Sequence, residues 1–325
     1  MLLIRGAVGQ EEDKAFRKWF RHVGELRSLF PSAAMLALSA TCTKKMLHKV
    51  TDALQLTGCK HFISRNPNKE NIKYVTRKIE SDIQSSMFWL IDSLEKYGDQ
   101  FPRTLIYCNS IKDVSQIYNY VVEEVPGCKA YVDMFHSETT SEKKSQILSR
   151  LTNPSNLKVV LCTSALGMGI DIVDCESVVL YGPPSTAVDF LQESGRVGRN
   201  GNKSVCVLLY HSHQLQHVDE DIRSLLKETT CRRLSIMNCF VKAKELEAIK
   251  CKHFENHECC DLCLKMCKCK NCKSLPLEKI LDLIDLGGSL PDVEDTDSDT
   301  LSYTYQSEVD TDDELLALNL DSCSL

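Results

Sequence analysis

The chain has 325 residues, 43% of them apolar, enough for two ordinary domains that each bury a core. Its formal charge of −6 is unevenly spread: residues 291–325 hold eleven Asp or Glu and no Lys or Arg, so 39 basic side chains face 34 acidic ones over residues 1–290, a net +5 compatible with nucleic acid. The start MLLIRGAVGQ is too short in its apolar run for a secretory signal and no stretch approaches membrane-spanning length, which argues against secretion and against reading the seventeen cysteines as a disulfide framework.

In chain order, FPSAAMLALSATCT (30–43) predicts one buried strand ending in a small-residue turn, followed by a helix from about Lys44 to Leu56. This reads as the end of an α/β unit, and residues 57–79 read as a connector. From 103 to 210, RTLIYCNS, LKVVLCTS, ESVVLYG and KSVCVLLY are apolar at nearly every position, as strands covered on both faces must be. Between the first two, Ser110 is placed to cap a helix whose Ile111, Val114, Ile117, Tyr118 and Val121 recur on one face. A second helix is predicted at TTSEKKSQILSRL, with Thr139 and Glu142 in capping-box spacing, and a third in STAVDFLQESG. Strands alternating with helices predict an α/β fold with a parallel, doubly wound sheet, its functional loops at the strand C-termini. Residues 211–275 read as a helical, cysteine-rich module, and residues 276–325 as an acidic tail lacking the composition of a core, expected to be disordered.

One loop carries most of the chemistry. In GRVGRNG (195–201) the glycines let the backbone approach a bulky ligand, and an arginine fork holds two phosphate oxygens at once, which lysine does not. An isolated G-R-x-G-R is equally a turn with two surface arginines, but three other strings accompany it: ALSAT at 37–41, IYCNS at 106–110 and SALGMGIDIVDCESVVLYGPPST at 164–186. In this order and spacing they resemble motifs III to VI of a superfamily 2 helicase, and LGMGID with QESGRVGRNG resembles the RecQ family, over about residues 14–265.

The resemblance implies ATP-dependent 3′-to-5′ unwinding of DNA by two RecA-like lobes, with ATP and Mg²⁺ in the cleft between them. It implies work on single-stranded and forked DNA, in repair and recombination, in the nucleus, with the cytoplasm as the alternative compartment. This chain would hold the end of lobe 1 (1–56), lobe 2 (80–210) and a zinc-binding module (211–275). Carried over by position, Arg199 is the arginine finger, Arg196 its neighbour on the phosphates, and Gln192 orients the pair. Gly169 and Asp171 of GMGID, with Ser39 and Thr41 of ALSAT, couple nucleotide state to lobe position. Thr163, Ser164, Asn109 and Ser110 are implied contacts to the backbone of single-stranded DNA, although capping and turn chemistry accounts for each taken singly. Phe16 and Arg17 match the end of an aromatic-rich loop that stacks on bases, whereas Trp19 and Phe20 also suit the core of an amphipathic helix.

The zinc module of the family places a Cys before a long helix and a later cluster ending C-D-x-C. CRRLSIMNCF (231–240) and CKHFENHECCDLC (251–263) supply Cys231, Cys251, Cys260 and Cys263 as the implied ligands, with Cys259, His253 and His257 as alternatives. CKCKNC (267–272) reads as unpaired surface cysteines, with a second ion as the other reading, and Cys42, Cys108, Cys162 and Cys206 read as small buried hydrophobes.

No G-x-x-x-x-G-K-[ST] and no D-E-x-H after an apolar strand occurs in the sequence; VDEDIR (218–223) lies in a polar region. The expectation is therefore little or no ATP hydrolysis by this chain in isolation, and a truncated or alternatively assembled product whose start joins the helicase pattern near residue 14. Two further readings stand beside the helicase: a non-catalytic DNA-binding or regulatory fragment, and a zinc-bearing interaction protein whose acidic tail recruits a partner with a basic surface.

Overall fold

The apolar runs of the middle of the chain assemble into one sheet. The structure, a computed structural model, describes residues 24–56, 61–166, 170–253, 257–269 and 271–285. Six strands, β1 (Ile72–Lys78), β2 (Thr104–Cys108), β3 (Val132–Phe135), β4 (Val159–Cys162), β5 (Ser177–Tyr181) and β6 (Ser204–Tyr210), lie in the order β1-β6-β5-β2-β4-β3, all pairs parallel. Every residue of β2, β4 and β5 is buried, because helices cover both faces. The pleat sorts the side chains between two cores: Leu105, Tyr107, Val160, Cys162, Val178 and Leu180 face one, Ile106, Cys108, Val159, Leu161, Val179 and Tyr181 the other. This is the doubly wound sheet that the alternating pattern predicts.

The helices are α1 (Leu26–Leu29), α2 (Lys44–Ala53), α3 (Ile83–Tyr97), α4 (Ile111–Glu124), α5 (Ser141–Thr152), α6 (Ala187–Ser194), α7 (Glu220–Lys227), α8 (Arg232–Met237), α9 (Ala243–His253), α10 (Asp261–Met266) and α11 (Pro276–Asp285). Ser110 caps α4 by accepting from the Asp113 N–H, and Thr186 caps α6 by accepting from Asp189. The cap of α5 is Thr140, one residue past the predicted Thr139, whose hydroxyl instead accepts from the His136 N–H. No described helix is long and apolar enough to cross a membrane.

Three expectations need correction. The stretch 30–41 forms no strand, and Leu36 and Leu38 stand 80% and 75% exposed, since among the described residues no strand pairs with it. Ile72–Lys78, read as connector because charged residues interrupt its apolar run, is the edge strand β1, paired with β6 along its length. Its Lys73 is buried against Glu278, with Nζ 2.5 Å from Oε1. That partner lies in α11, so the first ten residues assigned to the tail are a helix whose Leu277, Ile280 and Leu281 pack with Met87, Leu90 and Leu94 of α3. Residues 286–325, the rest of the expected disordered tail, lie outside the described residues.

Candidate functional site

The loop after α6 is shaped by its glycines and tied down by the chain that leads into β1. A Cβ at Gly195 would lie 2.6 Å from the Leu191 carbonyl oxygen, and one at Gly198, where φ is +63°, would lie 2.4 Å from Asn71 Nδ2. Asn71 Nδ2 uses that space to donate to the carbonyls of Gly198 and Asn202, both at 2.8 Å, and Lys69 Nζ donates to the Gly195 carbonyl at 2.8 Å.

Two arginines and one lysine thereby converge. Arg196 is buried, at 7% exposure, whereas Arg199 is near the surface, its Nη1 2.7 Å from the Ile170 carbonyl and 3.1 Å from Asp171 Oδ1. Burial, followed by the positive fields of Arg199 and Arg196, holds the Lys69 ammonium below its usual value. Three cations crowded at a loop with close backbone approach suit a polyanion, which relieves their repulsion. Behind them, Gln192 Nε2 donates to Thr41 Oγ1 at 3.1 Å, and Ser39 Oγ donates to the Thr41 carbonyl at 2.7 Å, so ALSAT and QESGR meet. Of the implied residues, Gly169, Phe16 and Arg17 lie outside the described residues.

A second row of implied residues lies at the C-terminal ends of β2 and β4. The Ser110 hydroxyl is engaged with Asp113, donating to Oδ2 at 2.8 Å, and Thr163 Oγ1 accepts from the Ala165 N–H at 3.3 Å. Asn109 and Ser164 are exposed beside them, with Asn109 Nδ2 3.2 Å from the Pro183 carbonyl. On the next strand end, after β3, the buried His136 ring leaves Nδ1 without a partner among the described residues, and burial pushes its pKa down.

The helicase conserved C-terminal domain family matches residues 89–201. ATP-dependent DNA helicase Q1 of Mus musculus is 27% identical over 269 residues, covering 81% of this chain and 40% of that protein. RecQ-like DNA helicase BLM of Xenopus laevis is 26% identical over 250 residues, covering 69% of this chain and 18% of that one. The chain carries the C-terminal region of a RecQ-type superfamily 2 helicase. It spans less than half the length of these relatives. In fold it is similar to Saccharomyces cerevisiae Dbp5 solved with RNA and ADP BeF3, at a TM-score of 0.51 and 18% identity over 77% of this chain and 61% of that one.

Beyond the sheet of this RecQ-type region, the cysteine-rich module caps the open edge of β1. Tyr74 N–H donates to the Cys259 carbonyl at 3.2 Å, and Cys260 forms a parallel bridge with Tyr74, so the edge strand is paired on both sides there. The sulfurs of Cys231, Cys259, Cys260 and Cys263 all lie within 4.8 Å of one another, and hydrogen bonds from its neighbours, Cys231 first, hold the Cys260 thiol well below its usual value. Four such sulfurs match the donor set and crowding of a closed tetrahedral zinc site. Three of these sulfurs belong to the implied ligands and the fourth, that of Cys259, to the alternatives, while the side chain of Cys251 lies outside the described residues.

Two buried arginines weld the module to the lobe. Arg232 donates to the carbonyls of Leu225 and Leu226 and pairs with Asp261 at 3.3 Å, and Asp261 also accepts from the Thr76 hydroxyl of β1 at 3.3 Å. Arg233, fully buried, donates to Asn68 Oδ1 at 2.9 Å and to the carbonyls of Lys69, Ile72 and Cys259, and its guanidinium lies 4.8 Å from the Tyr74 ring centre. Sequence reasoning passed over Lys69, Asn71 and Arg233, because each acts on residues distant in the chain and no local spacing announces that.

Proposed function

We propose that this chain supplies the second wall of the ATP site, and part of the DNA track, of a 3′-to-5′ DNA helicase. The observation that carries the reading is the convergence of Lys69, Arg196 and Arg199 on one glycine-shaped loop whose Gln192 is joined to Thr41. ATP with Mg²⁺, bound to a neighbouring P-loop, would supply the transferring phosphoryl group. Arg199 would leave its exposed partner Asp171 to neutralise charge building on that group, and Arg196 and Lys69 would stay fixed on the remaining phosphates. Asn109 and Ser164, with Ser110 and Thr163 behind them, would hold phosphates of single-stranded or forked DNA without reading bases. A structural zinc at Cys231, Cys259, Cys260 and Cys263 would keep the module on β1, and the nucleus is the matching compartment.

The test is a chimera in which this chain follows the P-loop and DExH segment of mouse helicase Q1, assayed for phosphate release with single-stranded DNA. The expected result is DNA-stimulated turnover that falls by about 10³-fold or more in Arg199→Ala; turnover indifferent to that change overturns the reading. Because the sequence contains no P-loop string, a second reading is a DNA-binding regulatory fragment. It expects the unfused chain to bind single-stranded DNA in a salt-sensitive way without hydrolysing ATP.

A further inference from the structure

Just past the first cysteine cluster is a second convergence that shares no residue with it. Nδ1 or Nε2 of His257 and the sulfurs of Cys267, Cys269 and Cys272 all lie within 4.8 Å of one another. Cys269 Sγ is 3.4 Å from His257 Nδ1 and 3.4 Å from Cys272 Sγ. The backbone supports the sulfurs: the N–H of Cys269 points to Cys267 Sγ and that of Asn271 to Cys269 Sγ, each at 3.4 Å. A lone surface loop has no reason to gather three thiols and an imidazole, whereas a soft divalent cation has a use for that donor set.

We propose that His257, Cys267, Cys269 and Cys272 form a second zinc site, a closed Cys₃His tetrahedron separate from the Cys₄ cluster. The three thiols release their protons to solvent as the ion binds. Its place in the chain gives it a task. Cys272 lies three residues before Leu275, whose N–H caps onto Glu278 Oε2 at 2.9 Å, and α11 then buries Leu277, Ile280 and Leu281 against the lobe. The ion ties the end of α10 and the His257 turn to the start of that helix, fastening the last described element to the sheet from the module side.

The experiment is a zinc count on the full chain, prepared under reducing conditions, by native mass spectrometry, with maleimide mapping of the thiols. The wild type should carry two zinc ions and Cys269→Ser/Cys272→Ser one. In the zinc-loaded wild type the exposed Cys269 should resist maleimide and become reactive when EDTA is added. A wild type holding one zinc, Cys269 labelling at once in the zinc-loaded protein, or a Cys269–Cys272 disulfide in place of the ion overturns the proposal. The count and the labelling need no ATP or DNA, so they stand apart from the fate of the helicase reading.

Discussion

Gln192 and Thr41, 151 residues apart, are joined by a 3.1 Å hydrogen bond between side chains. The amide stands on α6, one turn before the arginine loop, and the hydroxyl belongs to the segment that precedes α2, so a shift of either segment is felt by the other. A neutral, half-buried bond of this kind contributes about 0.5–1.5 kcal/mol. A double-mutant cycle with Gln192→Ala and Thr41→Val, read by urea denaturation, should return a coupling of that size; additive effects would show that the two segments are independent.

Arg199 should be nearly dispensable for stability. Its pair with Asp171 is at the surface, the carboxylate side chain 79% exposed, and such pairs contribute about 1 kcal/mol or less. Arg199→Ala and Asp171→Asn are expected to leave the urea midpoint almost unchanged even where the chimera's phosphate release collapses. A large loss of stability would mean that the guanidinium is structural.

Arg233 is the opposite case. Its removal leaves the carbonyls of Lys69, Ile72 and Cys259 short of donors in a dry environment beside Tyr74. Arg233→Met should cost about 3–5 kcal/mol by urea denaturation. Arg233→Lys should recover only part, because one ammonium does not span the directions that the planar fork covers.

The identity of the fourth sulfur in the first cluster is measurable. Cys259→Ser should lower the zinc count by one and the thermal midpoint with it, whereas Cys251→Ser should leave the count unchanged. The reverse result would place Cys251 in the site.

The buried His136 ring gives a pH dependence of known sign. Burial keeps it neutral and its folded pKa below the ordinary 6.5, with Glu138 opposing and Lys144 assisting. The unfolded chain therefore takes up the proton first as pH falls, and the stability held above pH 6.5 is lost on descending through the depressed value. His211, also lowered by burial and by the neighbouring His213, adds to the slope. His136→Asn should flatten the fall in urea midpoint between about pH 6.5 and 5 relative to wild type; an unchanged slope would show that the ring titrates normally.

Much of the lobe was legible because its signals are local. Continuous apolar runs forecast β2, β4, β5 and β6, and Ser110 announced the start of α4 from its own side chain and the apolar face behind it. The short β3 and the charged edge strand β1 were missed, since VDMF has little length and IKYVTRK hides its lysine in an ion pair made 205 residues later. The run at 30–41 erred the other way: apolar composition permits a buried strand, but only paired neighbours create one.

What the sequence by itself determined is the set of parts: a parallel sheet, a glycine loop bearing Arg196 and Arg199, and a cysteine-rich module. These follow from periodicity, backbone freedom and the chemistry of donor atoms, all properties of a few consecutive residues. The tertiary structure alone decided which sulfurs meet in which cluster, that Lys69 and Asn71 brace the arginine loop, and that Arg233 locks the module to it. Those are distances between residues far apart in the chain, and only packing sets them.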